Sequence, residues 1–308
     1  MMKESTPVLV VGSLNIDLVV NVDRFPAAGE TILGRQFATY PGGKGANQAV
    51  AAARLGAKVY MAGCVGRDEH AGILLKSLAD NLVDVTFVRQ VPEPTGVALI
   101  TVDRAGANTI IVAPGANDCC AVQDIDKALA DIGTAGVLLV QHEIPAATVD
   151  HAVRAAAAKG WKVIVNPAPA RELSPATLEL IDILVPNETE ASILAAMPVN
   201  TVEDASKAAG KFLGQGVQTV IVTLGEKGAV GCTPAGQWHI PSRCVPVVDT
   251  TAAGDAYIGA LATGLTEKRS LEECMRFAAM VASISVTRPG AQPSLPWRHE
   301  LPEQSHVK

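Results

Sequence analysis

Val137-Leu138-Leu139-Val140-Gln141, an alanine-rich stretch over residues 146–159, and Val163-Ile164-Val165-Asn166 together decide the fold. Each apolar run is short and aliphatic and meets no polar residue until its last position, the pattern of a strand covered on both faces. The stretch between them is too long for a hairpin turn and is rich in strong helix formers, so it reads as a crossover helix. A strand, helix and strand of this kind require a parallel sheet. The rhythm spreads in both directions. Apolar runs recur at Val8–Val11, Val59–Val65, residues 183–185 and Thr219–Thr223, with another helical stretch over residues 202–213. The chain thus predicts an α/β fold, a doubly wound and mostly parallel sheet flanked by helices, as a single domain over residues 1–308.

Two pieces stand outside that rhythm. Residues 97–102 and 109–112 flank Asp103-Arg104-Ala105-Gly106-Ala107-Asn108, a connection too short for a crossover helix, and predict an antiparallel hairpin. Ser13-Leu14-Asn15-Ile16-Asp17-Leu18-Val19-Val20 alternates Asn15 and Asp17 with Leu14, Ile16 and Leu18, the period of a strand exposed on one side. Asn15 and Asp17 therefore point the same way, towards either the hydroxyls of a sugar or solvent. Together these segments, about 14–42 and 95–113, predict a small β-sheet that could act as a lid.

Composition narrows the function. With 308 residues, 48% of them hydrophobic, the chain can bury a large core, and its net charge of -6 argues against a nucleic-acid partner. Six cysteines, Cys64, Cys119, Cys120, Cys232, Cys244 and Cys274, show neither disulfide-scaffold density nor a metal-binding pair, and suit a reducing compartment. The first apolar run is broken by Asn15 and Asp17 far short of a membrane span, and no cleavable signal pattern precedes it. The expectation is a cytoplasmic protein with no membrane partner.

Two stretches of small residues open helices. Pro41-Gly42-Gly43-Lys44-Gly45-Ala46-Asn47-Gln48 leads into an alanine-rich segment ending at Gly56, with Lys44 and Asn47 on one face. It is not a P-loop, because Gly45 follows Lys44 where Ser or Thr is required, and no G-x-G-x-x-G follows the first strand. The stretch reads either as a polar-substrate clamp at a helix start or as a glycine-rich connection. The second is Asp249-Thr250-Thr251-Ala252-Ala253-Gly254-Asp255, entered through the apolar Val245, Val247 and Val248. Ala252, Ala253 and Gly254 could aim backbone N–H groups at an anion, with Asp255 as a base for an attacking hydroxyl. The same residues also fit a plain turn with Asp as the helix cap.

Polar residues at strand ends mark where open α/β sheets bind ligands. Glu143, Asn166, Asn187-Glu188-Thr189-Glu190 and Thr223-Leu224-Gly225-Glu226-Lys227-Gly228 all fall there. The histidines are scattered without metal spacing, and His142 reads as incidental.

With these motifs in this order, the chain resembles the ribokinase (PfkB) family of sugar kinases over nearly its whole length. The resemblance rests on Gly42-Gly43-Lys44-Gly45-Ala46-Asn47-Gln48-Ala49 and Asp249-Thr250-Thr251-Ala252-Ala253-Gly254-Asp255. Asn15 with Asp17, Asn166-Pro167-Ala168-Pro169-Ala170-Arg171, Pro186-Asn187-Glu188-Thr189-Glu190, Thr223-Leu224-Gly225 and Thr287-Arg288-Pro289-Gly290-Ala291-Gln292-Pro293-Ser294 extend it. It implies an ATP-dependent kinase for D-ribose in which Asn15, Asp17, Gly43, Lys44, Asn47 and Glu143 hold the sugar. Asp255 would deprotonate the 5-hydroxyl, and Ala252, Ala253 and Gly254 would form the anion hole. Asn187, Thr223, Gly225, Gly228 and Gly254 would line the ATP site, and Glu190 with Asn187 would organise magnesium. A monovalent cation, usually potassium, would sit around Asp249, Thr251, Ser285, Arg288, Gly290 and Ser294. The β lid of such proteins commonly makes a homodimer.

Three departures from the family pattern bear on substrate preference: His142 before Glu143, Tyr257-Ile258 after Asp255, and Ala279 on the adenine side. The alternatives are a kinase for 2-deoxyribose or another small furanose, and a non-catalytic sugar or nucleotide sensor on the same fold. A dehydrogenase is disfavoured by the missing dinucleotide fingerprint.

Overall fold

The computed structural model describes residues 6–302, so the outermost residues of the expected 1–308 domain lie outside it. In chain order the strands are β1 (Val8–Val11), β2 (Asn15–Asn21), β3 (Gln36–Gly42), β4 (Val59–Val65), β5 (Val83–Gln90), β6 (Gly96–Val102), β7 (Asn108–Ala113), β8 (Val137–Gln141), β9 (Lys162–Asn166), β10 (Ile183–Leu184), β11 (Thr219–Thr223), β12 (Ala229–Thr233) and β13 (Gly236–Ile240). The helices are α1 (Lys44–Arg54), α2 (Glu69–Asp80), α3 (Val122–Ile132), α4 (Ala146–Ala158), α5 (Pro175–Leu178), α6 (Glu188–Leu194), α7 (Val202–Gly214), α8 (Ala253–Thr266) and α9 (Leu271–Ser285).

A nine-stranded sheet runs β13-β12-β11-β10-β9-β8-β1-β4-β5. It is parallel from β5 to β11, with Val8 opposite Val59 on one side and Val137 on the other, and turns antiparallel at β12 and β13. The central strands explain why the expected apolar runs are unbroken. Val8 and Val10 of β1 enter one core, with α1, α8 and α9, while Leu9 and Val11 enter the other, with α3, α4 and α7. Val137 and Leu139 of β8 divide from Leu138 and Val140 in the same way. A strand with a core on each face has no position for a polar side chain. The doubly wound α/β fold is therefore as the sequence predicts.

The smaller sheet runs β3-β2-β6-β7 and is mixed: β2 pairs antiparallel with β3 and parallel with β6, and β6 pairs antiparallel with β7 as expected. Its side away from the main sheet leaves Phe37, Leu99 and Ile111 exposed. The apolar approach to Asp249 is not part of the core. Residues 241–248 form no strand, and Val247 and Val248 are 63% and 61% exposed, so this apolar run covers no core. Among the described residues no helix is long and apolar enough to cross a membrane.

Candidate active site

The start of α1 is pressed against the turn between β1 and β2 because Gly43 and Gly45 lack side chains. Gly43 has φ 89°, and a Cβ there would lie 2.7 Å from the backbone nitrogen of Asn15. A Cβ on Gly45 would lie 2.7 Å from the Gly12 carbonyl carbon. This approach brings Lys44 and Asn47 beside Asn15 and Asp17 in a cavity of about 220 Å³ that Glu143 and Asp255 also line. The small sheet closes another side with Ala98 and Ile100 from β6 and Asn108, Ile110 and Val112 from β7. Thr250, Thr251 and Ala252 complete the wall. Asn15 and Asp17 are only 2% and 8% exposed, so their shared face looks into this cavity and not to solvent.

Asp255 sits in the first turn of α8, but it is not the cap. That position belongs to Ala252, held in the left-handed region at φ 59° without a side-chain cap bond. A non-glycine residue there is strained by about 1–2 kcal/mol, and such strain clusters at functional sites. The Ala253 N–H reaches the Thr250 carbonyl at 3.2 Å, whereas the N–H groups of Ala252, Gly254 and Asp255 find no backbone acceptor among the described residues. The expected row of donors is thus present with Ala253 partly engaged.

The carboxylate of Asp255 is held by amides. Its Oδ2 accepts from Asn47 Nδ2 at 3.0 Å and its Oδ1 from Gln48 Nε2 at 3.0 Å. Glu143 is fixed as firmly: its Oε2 accepts from Ser13 Oγ at 2.5 Å and from the Lys44 N–H at 3.2 Å. Asn117 Nδ2 donates to Asn15 Oδ1 at 2.7 Å, while its own Oδ1 accepts from the Leu14 N–H at 2.9 Å. Ser13, Gln48, Asn117 and the cavity-lining Asn108 are the residues the sequence reading missed. Gln48 lies inside the quoted glycine-rich stretch, but nothing local marks Asn117.

Charge is concentrated here. Burial, then the nearby Glu143 and Asp255 carboxylates, push the Asp17 carboxyl up to about 7, with Lys44 opposing. Burial also raises Asp255, against the pull of Lys44 and the two amides. For Lys44 burial acts to lower the ammonium, but Asp255, Glu143, Glu190 and Asp17 outweigh it, and it stays charged. His142 turns away, its Nδ1 3.2 Å from the Pro169 carbonyl, and burial followed by the Arg171 guanidinium takes its imidazole down to about 4. Tyr257 and Ile258 are buried in the core against α9, outside the cavity.

The nucleotide candidates lie further along the same sheet edge and do not line this cavity. Asn187 and Glu190 form a capping box on α6, with Asn187 Oδ1 accepting from the Glu190 N–H at 2.8 Å and Glu190 Oε2 from the Asn187 N–H at 2.9 Å. Burial raises the Glu190 carboxyl. Asn187 bridges to Thr223 at the end of β11, and Gly225 and Gly228 follow with φ 53° and 89°.

Around Asp249 two loops meet. Its Oδ1 accepts from the Thr251 N–H and its Oδ2 from the Gly290 N–H, each at 2.8 Å. Ser285 and Ser294 are buried, and their hydroxyls donate to the Ala282 and Ala291 carbonyls. The Arg288 guanidinium is paired with Glu300 at 2.8 Å, so the part of Arg288 open to a ligand role is its backbone. Among the described residues no cluster of three or more His, Cys, Asp or Glu could hold a metal.

Comparison with known proteins agrees with this arrangement. The chain is 43% identical over 295 residues to the ribokinase of Haemophilus influenzae, covering 96% of each protein. It is 40% identical over 291 residues to the deoxyribokinase of Salmonella typhi, covering 94% of this chain and 95% of that one. The solved structure of Arabidopsis thaliana ribokinase complexed with ribose and ATP superposes with a TM-score of 0.87 at 38% identity, covering 96% of this chain and 97% of that one. Residues 5–298 match the family described as pfkB family carbohydrate kinase. With that match across nearly all of the fold and both small-residue helix starts, the chain belongs to the pfkB family of carbohydrate kinases.

Proposed function

We propose that this protein transfers the γ-phosphoryl group of ATP to the 5-hydroxyl of D-ribose, giving ribose 5-phosphate. The observation that carries the reading is one small polar cavity in which Asn15, Asp17, Gly43, Lys44, Asn47 and Glu143 surround the carboxylate of Asp255. The relatives named ribokinase, and the Arabidopsis structure with ribose and ATP, support the choice of sugar and donor.

In this reading the polar groups of β2, α1 and Glu143 orient the sugar by hydrogen bonds to its hydroxyls. Asp255 takes the proton of the 5-hydroxyl as that oxygen attacks the γ-phosphorus, and ADP leaves in line. Phosphoryl transfer asks mainly for positioning and charge neutralisation. The backbone N–H groups at the start of α8 meet the charge on the transferred group, aligned with the helix dipole. Lys44 adds a fixed positive charge close by. Asn187, Thr223, Gly225 and Gly228 hold the nucleotide, with Gly254 beside its terminal phosphate.

Glu190 fits an indirect magnesium role, because its Oε2 is committed to the α6 cap and a hard cation of this kind keeps its waters. Magnesium, when bound, neutralises phosphate charge. The loops around Asp249 fit a monovalent cation: they offer a carboxylate, the Ser285 and Ser294 hydroxyl oxygens, and the backbone carbonyls of Thr251, Arg288 and Gly290. Potassium there would stiffen the approach to the anion hole without touching substrate.

The segments about 14–42 and 95–113 act as a lid that excludes water, within one kinase domain. The exposed Leu99 and Ile111 support a homodimer through this sheet, and a monomer mass by light scattering at micromolar protein would remove that part of the reading. The free state of all six cysteines supports a cytoplasmic location.

The deciding measurement is ADP release from ATP and magnesium with ribose, 2-deoxyribose, fructose or adenosine, each with and without potassium. Ribose-dependent, potassium-stimulated turnover is expected. Preference for 2-deoxyribose, as the similarity to a deoxyribokinase also allows, would keep the mechanism and replace the substrate. No turnover with any sugar would overturn the kinase reading of this site.

A further inference from the structure

We propose that Gln48, oriented by Asn166 and Gln141, positions Asp255 and keeps it in the proton-accepting form. The inference rests on reading Asp255 as the base. Gln48 is 0% exposed, and its amide touches three partners. Its Nε2 donates to Asp255 Oδ1 at 3.0 Å and to Asn166 Oδ1 at 3.1 Å, and its Oε1 accepts from Gln141 Nε2 at 2.6 Å.

The direction of this chain is set by one backbone group. Asn166 Nδ2 donates to the Val185 carbonyl at 2.9 Å, which turns Asn166 Oδ1 towards Gln48. Only the nitrogen of Gln48 can satisfy that oxygen and the Asp255 carboxylate together. A flipped amide would set its oxygen against two acceptors and its nitrogen against the Gln141 donor. Asn166 and Gln141 end neighbouring parallel strands, so the base on α8 is referenced to the rigid edge of the main sheet. The strand-end Asn166, which has no part in the proposed sugar or nucleotide contacts, gains a role in this way.

The relay matters because burial and the neighbouring carboxylates favour protonation of Asp255, and only Lys44 and the Asn47 amide oppose them beside Gln48. The charged groups facing it are Lys44 from α1, Glu143 beyond β8, Asp17 from β2 and Glu190 from α6. Among the described residues its side chain receives hydrogen bonds only from Asn47 and Gln48. A donor to a carboxylate stabilises the ionised form, so removing one raises the pH at which the base becomes available.

The test is the pH dependence of kcat at saturating sugar and ATP, where the sugar already occupies Asp17 and the acid limb reports the base in the complex. Gln48→Met keeps the length and removes the amide. Its acid limb should move up by about one pH unit, with kcat falling towards about tenfold low along that limb and staying within about threefold of the parent on the alkaline plateau. Its sugar KM should change by less than about threefold. Gln141→Met, acting one step away, should move the limb in the same direction by less, and it decides the matter if Gln48→Met does not fold. An unmoved limb, or a loss uniform across pH, overturns the relay. Asp255→Asn separates the two ideas: if it turns over normally, the base reading itself falls, whereas an inactive Asp255→Asn with an unshifted Gln48→Met removes only the relay.

Discussion

The two helices that meet at the cavity both begin in stretches of small residues and do opposite things with their first N–H groups. At α1 the protein takes them: Lys44 N–H goes to Glu143, Gly45 N–H to Ser13 Oγ, Ala46 N–H to the Ser13 carbonyl and Asn47 N–H to the Gly43 carbonyl. At α8 the N–H groups of Ala252, Gly254 and Asp255 have no backbone acceptor among the described residues. A glycine-rich helix start is therefore not an anion site by virtue of being one. The site is where the donors stay free, and at α1 it is the side chains that act.

The largest effect expected from breaking this contrast is at Asp255. Asp255→Asn keeps the shape of the α8 start and removes the base, so kcat should fall by about a hundredfold to ten-thousandfold with sugar binding nearly kept, as read by steady-state kinetics and calorimetry. A fall in affinity with kcat intact would instead make Asp255 a binding group like those of α1.

The α1 side should break through packing. Gly45→Ala places a methyl group against the backbone of Gly12 and Ser13, at about 2.7 Å in each case. Chemical denaturation should register a loss of about 1–3 kcal/mol, together with a raised sugar KM as Lys44 and Asn47 shift. An unchanged Tm and KM would mean that the close approach does not set the geometry.

A smaller and more selective effect comes from Asp17, whose carboxyl is pushed up to about 7 from an ordinary 3.8. Because the folded protein holds this proton more tightly than the unfolded chain, folding is increasingly penalised as pH rises from about 4 to about 7. Asp17→Asn should therefore gain stability relative to the parent over that window while binding sugar more weakly. The parent's sugar affinity should rise as the pH passes about 7 and the carboxylate becomes a full acceptor. A stability difference that is flat with pH would show that Asp17 is not strained by its neighbours.

The core of the main sheet was legible because burial on both faces is written locally. Val8–Val11 and Val59–Val65 appear in the structure with the bounds read from their apolar runs. The antiparallel strands β12 and β13, and helices α2 and α9, were not read, since α2 and α9 mix polar with apolar residues and the strands border exposed turns. The exposed Val247 and Val248 carry the opposite lesson, as apolar residues in sequence need not be core.

What the sequence by itself determined is the alternation of buried strands and helices, the two helix starts and the family they signal. All of these depend on neighbours a few positions apart, where side-chain period and backbone freedom decide the outcome. Which group touches which was decided by tertiary structure alone. Asn47 and Asp255 are 208 positions apart, and Asn117 reaches Asn15 across 102. A hydrogen bond needs its atoms within about 3 Å, and no local periodicity encodes that distance until the sheet has brought its strand ends together.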